Sequence, residues 1–309
     1  MRRAGIDVGG TKLLGVLLDG SGSVLNEIRR PTPVGADALI DGLAALAGEL
    51  GSWDSLGIGL PGLVTRDGVV RSSPHLPGVH DVPVSALLAR RLDRQVSADN
   101  DATCAAVGEW QFGAGRGVDD LVVVTLGTGI GGGIIAGGQV WRGHNGFAGE
   151  FGHAVVDPDG LDCACGRRGC WERYASGSGL AALARGEAAR GRLRAVLALA
   201  DDDPSAVRGE HVTTAAAHGD AEALELVDQY ARWVALGLVN LTNTLDPALF
   251  VLGGGIAATP TLFIGPIQRW FSALLYAPEY RPHPALVFAA LGERAGAIGA
   301  AMLPLVRGI

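Results

Sequence analysis

Near its start the chain reads Gly5-Ile6-Asp7-Val8-Gly9-Gly10-Thr11-Lys12, a glycine-bearing turn between two apolar runs that predict β strands. The adjacent glycines let backbone N–H groups point at phosphate oxygens, and Thr11 and Lys12 can add donors. The carboxylate of Asp7 could hold Mg²⁺, usually through water. An ordinary β-hairpin turn accounts for the same residues, so the motif by itself leaves both interpretations open.

The elements around this turn predict one α/β arrangement. Strands are expected at Gly5–Val8, Leu13–Leu18, Val24–Arg29, Leu56–Leu60 and Gln95–Ala98. Helices are expected at Ala36–Leu50, Pro83–Leu92 and Ala102–Phe112. Asp19-Gly20 is a hairpin signal between the second and third strands.

A second stretch, Leu126-Gly127-Thr128-Gly129-Ile130-Gly131-Gly132-Gly133, repeats the pattern of strand, glycine turn and strand. It could cradle the other side of a triphosphate, although glycine-rich turns are common. A third group, Gly253-Gly254-Gly255, follows the predicted strand Phe250–Leu252. It suits the close approach of a flat nucleoside, and a plain strand-to-helix turn explains it equally well.

This restart of the pattern predicts a duplicated α/β unit with a cleft between two lobes. Further strands are expected at Leu121–Leu126, Gly132–Ala136, Gln139–Trp141 and Ala285–Ala289. Helices are expected over much of 178–245, the longest at Ala221–Leu245, and at Thr261–Leu275 and Glu293–Leu303. The predicted lobes are residues 1–112, to which a closing helix over 293–309 returns, and residues 113–292.

Composition and charge limit the classes of partner. A formal net charge of −7 argues against nucleic acid or an anionic membrane surface, because both select basic faces. Glycines and prolines interrupt the two long uncharged stretches, Leu121–Trp141 and Pro247–Gln268, so neither is the run of roughly 20 apolar residues that a spanning helix requires. Asp7 and Lys12 interrupt any signal-peptide apolar region. We therefore expect a cytoplasmic protein.

Three of the four cysteines cluster in the motif Cys163-x-Cys165-x₄-Cys170, with His153 ten residues upstream. In a cytosolic protein such clustering favours metal over a disulfide, and Cys₃His is a common closed zinc set. Unrelated reduced thiols or a redox pair are the alternatives. The fourth cysteine, Cys104, is expected to be a buried small hydrophobe. Glu150 and Glu172 flank the cluster, and glutamates in such positions are usually solvated surface.

The stretch Ala98-Asp99-Asn100-Asp101-Ala102 lies at a predicted junction of strand and helix. Asn and Asp are preferred helix N-caps, which is one explanation. The functional explanation is that Asp101 accepts a proton from a substrate hydroxyl while Asn100 hydrogen-bonds the substrate. The two explanations are compatible, because a capping junction holds side chains rigidly. Pro61-Gly62 ends another strand and is by default a turn.

Taken together, these motifs resemble the ROK family of sugar kinases and repressors, in particular its bacterial glucokinases, from Asp7 to the closing helix. The most specific part is Ala148-Gly149-Glu150-Phe151-Gly152-His153 followed by Cys163-x-Cys165-Gly166-x₂-Gly169-Cys170-Trp171-Glu172. The resemblance implies an α/β fold of two lobes, the actin/hexokinase-like duplicated ribonuclease-H-like fold, with ATP and sugar in a central cleft. It implies ATP-dependent phosphorylation of a hexose, with glucose as the expected acceptor.

The same resemblance implies roles for particular residues. Asp101 is the expected catalytic base. Sugar contacts are expected from Gly62, Asn100, Asp101, Glu150, His153 and Glu172. Contacts to ATP, which would carry Mg²⁺, are expected from Asp7, Gly9, Gly10, Thr11, Lys12, Gly127, Thr128, Gly129, Gly254 and Gly255. A structural Zn²⁺ is expected at His153, Cys163, Cys165 and Cys170.

Regulators of the same family that sense sugar without catalysis carry a DNA-binding helix-turn-helix before the first phosphate motif. Here six residues precede Asp7 and the charge is acidic, so a kinase is expected. Fructose, mannose or N-acetylhexosamine are the alternative acceptors, and Glu172-Arg173-Tyr174-Ala175-Ser176-Gly177 resembles the glucokinases more. The sequence leaves open whether ATP or polyphosphate is the phosphoryl donor, and a homodimer or homotetramer is expected.

Overall fold

Short apolar runs broken by glycine turns form the strands in the computed structural model, which describes residues 1–306. In chain order the strands are β1 (Arg3–Val8), β2 (Lys12–Leu18), β3 (Val24–Pro31), β4 (Ser55–Leu60), β5 (Leu63–Val64), β6 (Val69–Ser72), β7 (His80–Pro83), β8 (Val96–Asn100), β9 (Leu121–Leu126), β10 (Ile130–Ala136), β11 (Gln139–Val140), β12 (Leu249–Gly254) and β13 (Ala285–Phe288). The helices are α1 (Ala36–Glu49), α2 (Val84–Leu92), α3 (Asp101–Phe112), α4 (Glu172–Ala175), α5 (Gly177–Ala189), α6 (Arg194–Ala198), α7 (Gly209–Ala217), α8 (Ala221–Leu245), α9 (Pro260–Leu274) and α10 (Ala295–Met302).

The two five-stranded sheets have the same strand order. In each, the strand that comes first in the chain lies in the centre, with the next two strands on one side and the last two on the other. The first has the order β3-β2-β1-β4-β8, in which β1 pairs antiparallel with β2 and parallel with β4. The second has the order β11-β10-β9-β12-β13, in which β12 and β13 are parallel. Each begins with two strands joined by a glycine-bearing turn. The α/β fold class and the duplication predicted from the sequence are therefore confirmed.

The chain divides into two compact units. The first unit comprises Met1–Val123, Gly132–Gly149 and, among the described residues, 289–306. The second unit comprises Val124–Gly131 and Glu150–Phe288. The functional lobes expected from the sequence, 1–112 and 113–292, stay a prediction.

The first unit buries both faces of its sheet. Alternate residues of a strand point to opposite faces, and β2 shows this directly. Leu13 and Leu17 lie in the buried cluster that includes Leu43 of α1. Leu14 and the residues that alternate with it lie in a second cluster, with Ala297 of α10. A helix layer therefore covers each side of the sheet that carries the first glycine turn.

The boundaries of most predicted elements are confirmed to within a few residues, and α8 begins and ends where expected. A small sheet of order β5-β6-β7 was not predicted from the sequence, because its strands are only two to four residues long. The closing helix begins after a 3-10 turn at Gly292–Arg294, and the predicted part at 307–309 lies outside the described residues. Within residues 1–306 no helix combines the length and the apolar character needed to cross a membrane.

Candidate active site and metal cluster

The turn after β1 is fixed by its own backbone and by one threonine. The Gly9 N–H donates to the Lys12 carbonyl at 2.9 Å. The Thr32 hydroxyl donates to the Gly9 carbonyl at 2.7 Å, and the Thr32 N–H donates to the Thr11 carbonyl at 3.1 Å. Gly10 and Thr11 stay exposed. The turn thus presents an ordered and accessible backbone, as a phosphate cradle requires.

Lys12 has a partner that its sequence context does not predict. Its ammonium group lies 2.7 Å from Glu293 Oε2, just before α10. Glu293 also pairs with Arg29 of β3, and the hydrogen bonds from Lys12 and Arg29 lower its pKa. All these side chains are about half exposed, so solvent screens the pairs. The Lys12 ammonium carries three N–H donors, so it can keep Glu293 and still donate to a phosphate oxygen.

Asp7 lies half-buried at the end of β1. A Cβ on Gly296 would lie 2.7 Å from its Cγ, and a Cβ on Gly59 3.2 Å from its Oδ1. The buried Oδ1 atom has no hydrogen-bond partner among the described residues. Burial and then the charge of Asp101 raise the pKa of Asp7 to about 7, against the opposing charge of Lys12. A buried carboxylate oxygen without a donor fits a cation, so Asp7 is suited to the predicted Mg²⁺ role.

Asn100 and Asp101 lie where β8 ends and α3 begins. Asn100 is the N-cap, and its Oδ1 accepts the N–H groups of Ala102 and Thr103 at 2.9 and 3.0 Å. Its Nδ2 donates to the Gly62 carbonyl at 3.1 Å, and Gly62 has φ +99°, a conformation that favours glycine. Asp101 Oδ1 accepts the Ala102 N–H at 2.8 Å. The capping explanation of this stretch is therefore confirmed, and the functional explanation stays a prediction.

Two residues at this junction were not assigned from the sequence. Asp99 is buried, and its Oδ2 accepts from Arg142 Nε at 2.6 Å. Burial raises the pKa of Asp99, and the Arg142 charge opposes this shift. Asp99 is part of the quoted stretch before α3, whereas nothing local singles out Arg142 among the arginines.

The second glycine turn joins β9 and β10. The Gly127 N–H donates to the Gly129 carbonyl at 3.0 Å, and the Gly177 N–H donates to the Gly127 carbonyl at 2.7 Å. Thr128 is exposed at the tip of the turn. The third glycine group packs against the start of this turn, since a Cβ on Gly254 would lie 2.3 Å from the Leu126 carbonyl oxygen.

Open space adjoins both of these glycine groups. Among the described residues, no atom lies within 4 Å of a Cβ placed on Gly127 or on Gly255. The two predicted nucleotide-binding segments of the second unit are therefore neighbours, with room beside each of them.

The predicted metal ligands come together. The ligand atoms of His153, Cys163, Cys165 and Cys170 all lie within 4.8 Å of one another. The sulfurs of Cys165 and Cys170 are 3.6 Å apart, and the Cys163 sulfur is 3.9 Å from His153 Nδ1. Tetrahedral zinc with Zn–S distances of about 2.3 Å places ligand atoms roughly 3.8 Å apart. The four residues therefore fit a closed zinc site that uses Nδ1 of the histidine.

Glu172 lies between this cluster and the second glycine turn. Its Oε1 is 3.2 Å from the Cys163 sulfur and 3.7 Å from His153 Nδ1. Its Oε2 would be 2.8 Å from a Cβ on Gly129. Burial raises the pKa of the nearby Glu150, with His153 opposing and the Glu172 charge adding to the shift. Two carboxylates and an imidazole thus form one polar group in the second unit.

Comparisons with known proteins indicate one family over nearly the whole chain. A profile of the ROK family matches residues 3–306. A glucokinase of Streptomyces coelicolor is 38% identical over 305 residues, which cover 97% of this chain and 96% of that protein. The N-acetylmannosamine kinase of Escherichia coli is 33% identical over 301 residues, with 94% and 98% covered.

A solved structure agrees with these relatives. It is that of a ROK family glucokinase from Streptomyces griseus in complex with glucose and AMPPNP. It superposes with a TM-score of 0.87 at 38% identity and covers 98% of this chain and 99% of that one.

Proposed function

The chain belongs to the ROK family, and from this premise we infer that it transfers the γ-phosphoryl group of ATP to glucose. The observation that carries this conclusion is the full-length likeness to a ROK glucokinase whose structure holds glucose and AMPPNP. The fold is accordingly the actin/hexokinase-like ATPase fold, and the protein is a hexose kinase.

Asp101 is the proposed proton acceptor. Phosphoryl transfer depends on positioning and charge stabilisation more than on covalent chemistry. The first residue of α3 suits this task, because a helix N-terminus favours a carboxylate anion that can orient a hydroxyl. In the proposed reaction Asp101 takes the proton of the attacking sugar hydroxyl as its oxygen bonds to the γ-phosphorus, while the bond from that phosphorus to the β–γ bridging oxygen breaks and ADP leaves with the electron pair. Asn100 has one amide N–H beyond those that the fold uses, which it can donate to the sugar.

The remaining proposed sugar contacts are Gly62, Glu150, His153 and Glu172. Carboxylates at fixed positions accept several hydroxyl hydrogen bonds and so discriminate against analogues that lack one hydroxyl. If zinc uses Nδ1 of His153, the other ring nitrogen is left to donate to a sugar hydroxyl, as metal-bound histidines commonly do toward an oxygen. In this proposal the zinc is structural, since its four protein ligands leave no open position.

The proposed contacts to ATP are the three glycine groups. They comprise Asp7, Gly9, Gly10, Thr11, Lys12, Gly127, Thr128, Gly129, Gly254 and Gly255. Mg²⁺, when bound, would neutralise phosphate charge, and Asp7 would hold it directly or through water. The backbone N–H groups of the turns would donate to phosphate oxygens.

The setting of the enzyme is also a proposal. We propose a cytoplasmic enzyme of glycolysis that acts as a homodimer or homotetramer. The net charge of −7 supports small-molecule substrates in preference to nucleic acid or membrane partners.

A panel of acceptors and donors tests the function. The purified chain would be assayed with glucose, fructose, mannose and N-acetylmannosamine, each with ATP and with polyphosphate. We expect the highest kcat/KM for glucose with ATP. A preference for N-acetylmannosamine would favour the alternative that the 33% identical relative suggests, and failure to phosphorylate any hexose would contradict the proposal.

A further inference from the structure

A buried ion pair connects the end of β8 with the segment that follows β11. Arg142 Nε lies 2.6 Å from Asp99 Oδ2, and the two side chains are only 15% and 6% exposed. The other oxygen of this carboxylate, Oδ1, accepts the backbone N–H of Asn100 at 2.9 Å. One carboxylate therefore binds both a guanidinium group and the peptide that leads into α3.

The peptide held by Asp99 sets the geometry of the proposed proton acceptor. Asn100 caps α3 through its Oδ1 and donates to the Gly62 carbonyl through its Nδ2. Asp101 is the next residue and the first of the helix. A rotation of the peptide before Asn100 would therefore shift the cap, the Gly62 contact and the Asp101 carboxylate together.

The arginine is anchored independently of the pair. Its own carbonyl accepts the Ala148 N–H at 3.1 Å, which closes the segment 142–148. Arg66 donates through Nε and Nη2 to the carbonyl of the next residue, Gly143, at 3.0 and 2.7 Å. Arg142 therefore presents its guanidinium group from a fixed segment.

We propose that the Asp99–Arg142 pair is a positioning device, which holds Asn100 and Asp101 in the orientation needed for phosphoryl transfer. This inference rests on the proposed role of Asp101 as proton acceptor. Removal of one partner leaves an uncompensated buried charge. Without Arg142, Asp99 turns to another donor or takes up a proton, and its hold on the Asn100 N–H weakens. A displacement of about 1 Å at a reacting group costs roughly 100-fold in rate.

The test compares Asp99→Asn, Arg142→Gln, the double variant and Arg142→Lys in the full chain. We expect each of the first two to lower kcat by roughly 10- to 100-fold, while KM for ATP stays within about twofold. The double variant should cost no more than the worse single change, because both remove one interaction. Arg142→Lys keeps a cation and should recover part of the loss that Arg142→Gln causes.

Asp81→Asn is the matched control. Asp81 also pairs with an arginine, Arg71, at 2.8 Å, but both side chains are more than half exposed. Its φ of +51° suits asparagine as well as aspartate. We expect wild-type kcat and KM from this variant.

The outcomes separate this inference from the proposed function. Wild-type kcat in the folded fraction of the double variant, with only a lower Tm, would reduce the pair to a structural contact. A double variant that does not fold would equally overturn the inference, since the pair would then be a folding requirement. An Asp101→Asn variant measured alongside tests the base role itself. If it loses turnover while the pair variants keep theirs, only the positioning inference fails.

Discussion

Asn100 and Asp101 are adjacent, but the fold uses their side chains differently. The amide oxygen of Asn100 accepts two backbone N–H groups, and one of its amide N–H groups donates to the Gly62 carbonyl. The Asn100 side chain therefore mainly stabilises the fold. The Asp101 Oδ1 accepts one N–H from Ala102 at the start of α3. A carboxylate at this position, in its ionised form, can accept the proton of a substrate hydroxyl.

Asp101→Asn should therefore lower kcat by at least about 100-fold, because the amide keeps the shape and loses the proton acceptor. Glucose affinity should change by less than about tenfold, since most sugar contacts remain. A coupled phosphorylation assay and calorimetric titration with glucose would measure the two effects.

Asp37→Asn is the control for Asp101→Asn. Asp37 is also an acidic residue in a first helical turn, that of α1, and it is exposed. The control shares any loss of helix-dipole stabilisation and should retain full activity. Turnover near wild type in Asp101→Asn would remove Asp101 from the base role.

At the scale of elements, α10 fits against α3 without space for side chains between the two backbones. A Cβ on Gly299 of α10 would lie 1.7 Å from the Cys104 carbonyl oxygen, and one on Gly108 of α3 2.4 Å from the Ala295 carbonyl oxygen. The same helix passes beside Asp7 at Gly296. Its small residues therefore let α10 support both α3 and the first glycine turn.

Gly299→Ala should lower the free energy of unfolding by at least about 2 kcal/mol, because the methyl group meets backbone that cannot move aside. Gly48→Ala is the matched control in α1, where no described atom lies within 4 Å of the new Cβ. That change should be neutral or stabilise by up to about 1 kcal/mol. Urea denaturation would measure both, and a Gly299→Ala variant as stable as wild type would contradict the packing.

At the scale of the whole molecule, the proposed zinc would connect segments that have little regular structure. Residues 154–171 contain isolated bridges at Val155–Cys170 and Asp162–Arg168 and otherwise no strand. The Tyr174 hydroxyl supports them by accepting the Leu161 N–H at 2.7 Å. Four ligands on one ion would hold this segment against Glu172, so metal loss should disturb sugar binding before it unfolds the protein.

Cys165→Ser should abolish zinc binding and weaken glucose affinity in the fraction that stays folded. Elemental analysis and glucose titration would measure both, with near-stoichiometric zinc expected in the wild type. Cys104→Ala, which changes the cysteine outside the cluster, should retain zinc. A lower Tm with unchanged glucose affinity in Cys165→Ser would show that the metal stabilises the fold without contributing to the sugar site. A metal-free, fully active wild type would refute the zinc site.

Signals that act within a few residues were readable from the sequence. The two glycine turns, the capping junction at Asn100 and the cysteine cluster all depend on turn chemistry or on short spacings. For that reason the duplicated α/β fold and the grouping of the metal ligands could be predicted. The strands β5, β6 and β7 were not predicted, because segments this short show no clear alternation of apolar and polar residues.

Contacts between residues far apart in the chain were decided only by the tertiary structure. Arg142 pairs with Asp99, which is 43 positions away in the sequence, and Lys12 pairs with Glu293, which is 281 positions away. The buried Glu109 accepts the N–H of Leu291, 182 positions away. No local preference selects one arginine or glutamate among many, because such pairs depend on how strands and helices pack. The sequence alone therefore determined which residues the proposed chemistry uses, and the packing decided what holds them in place.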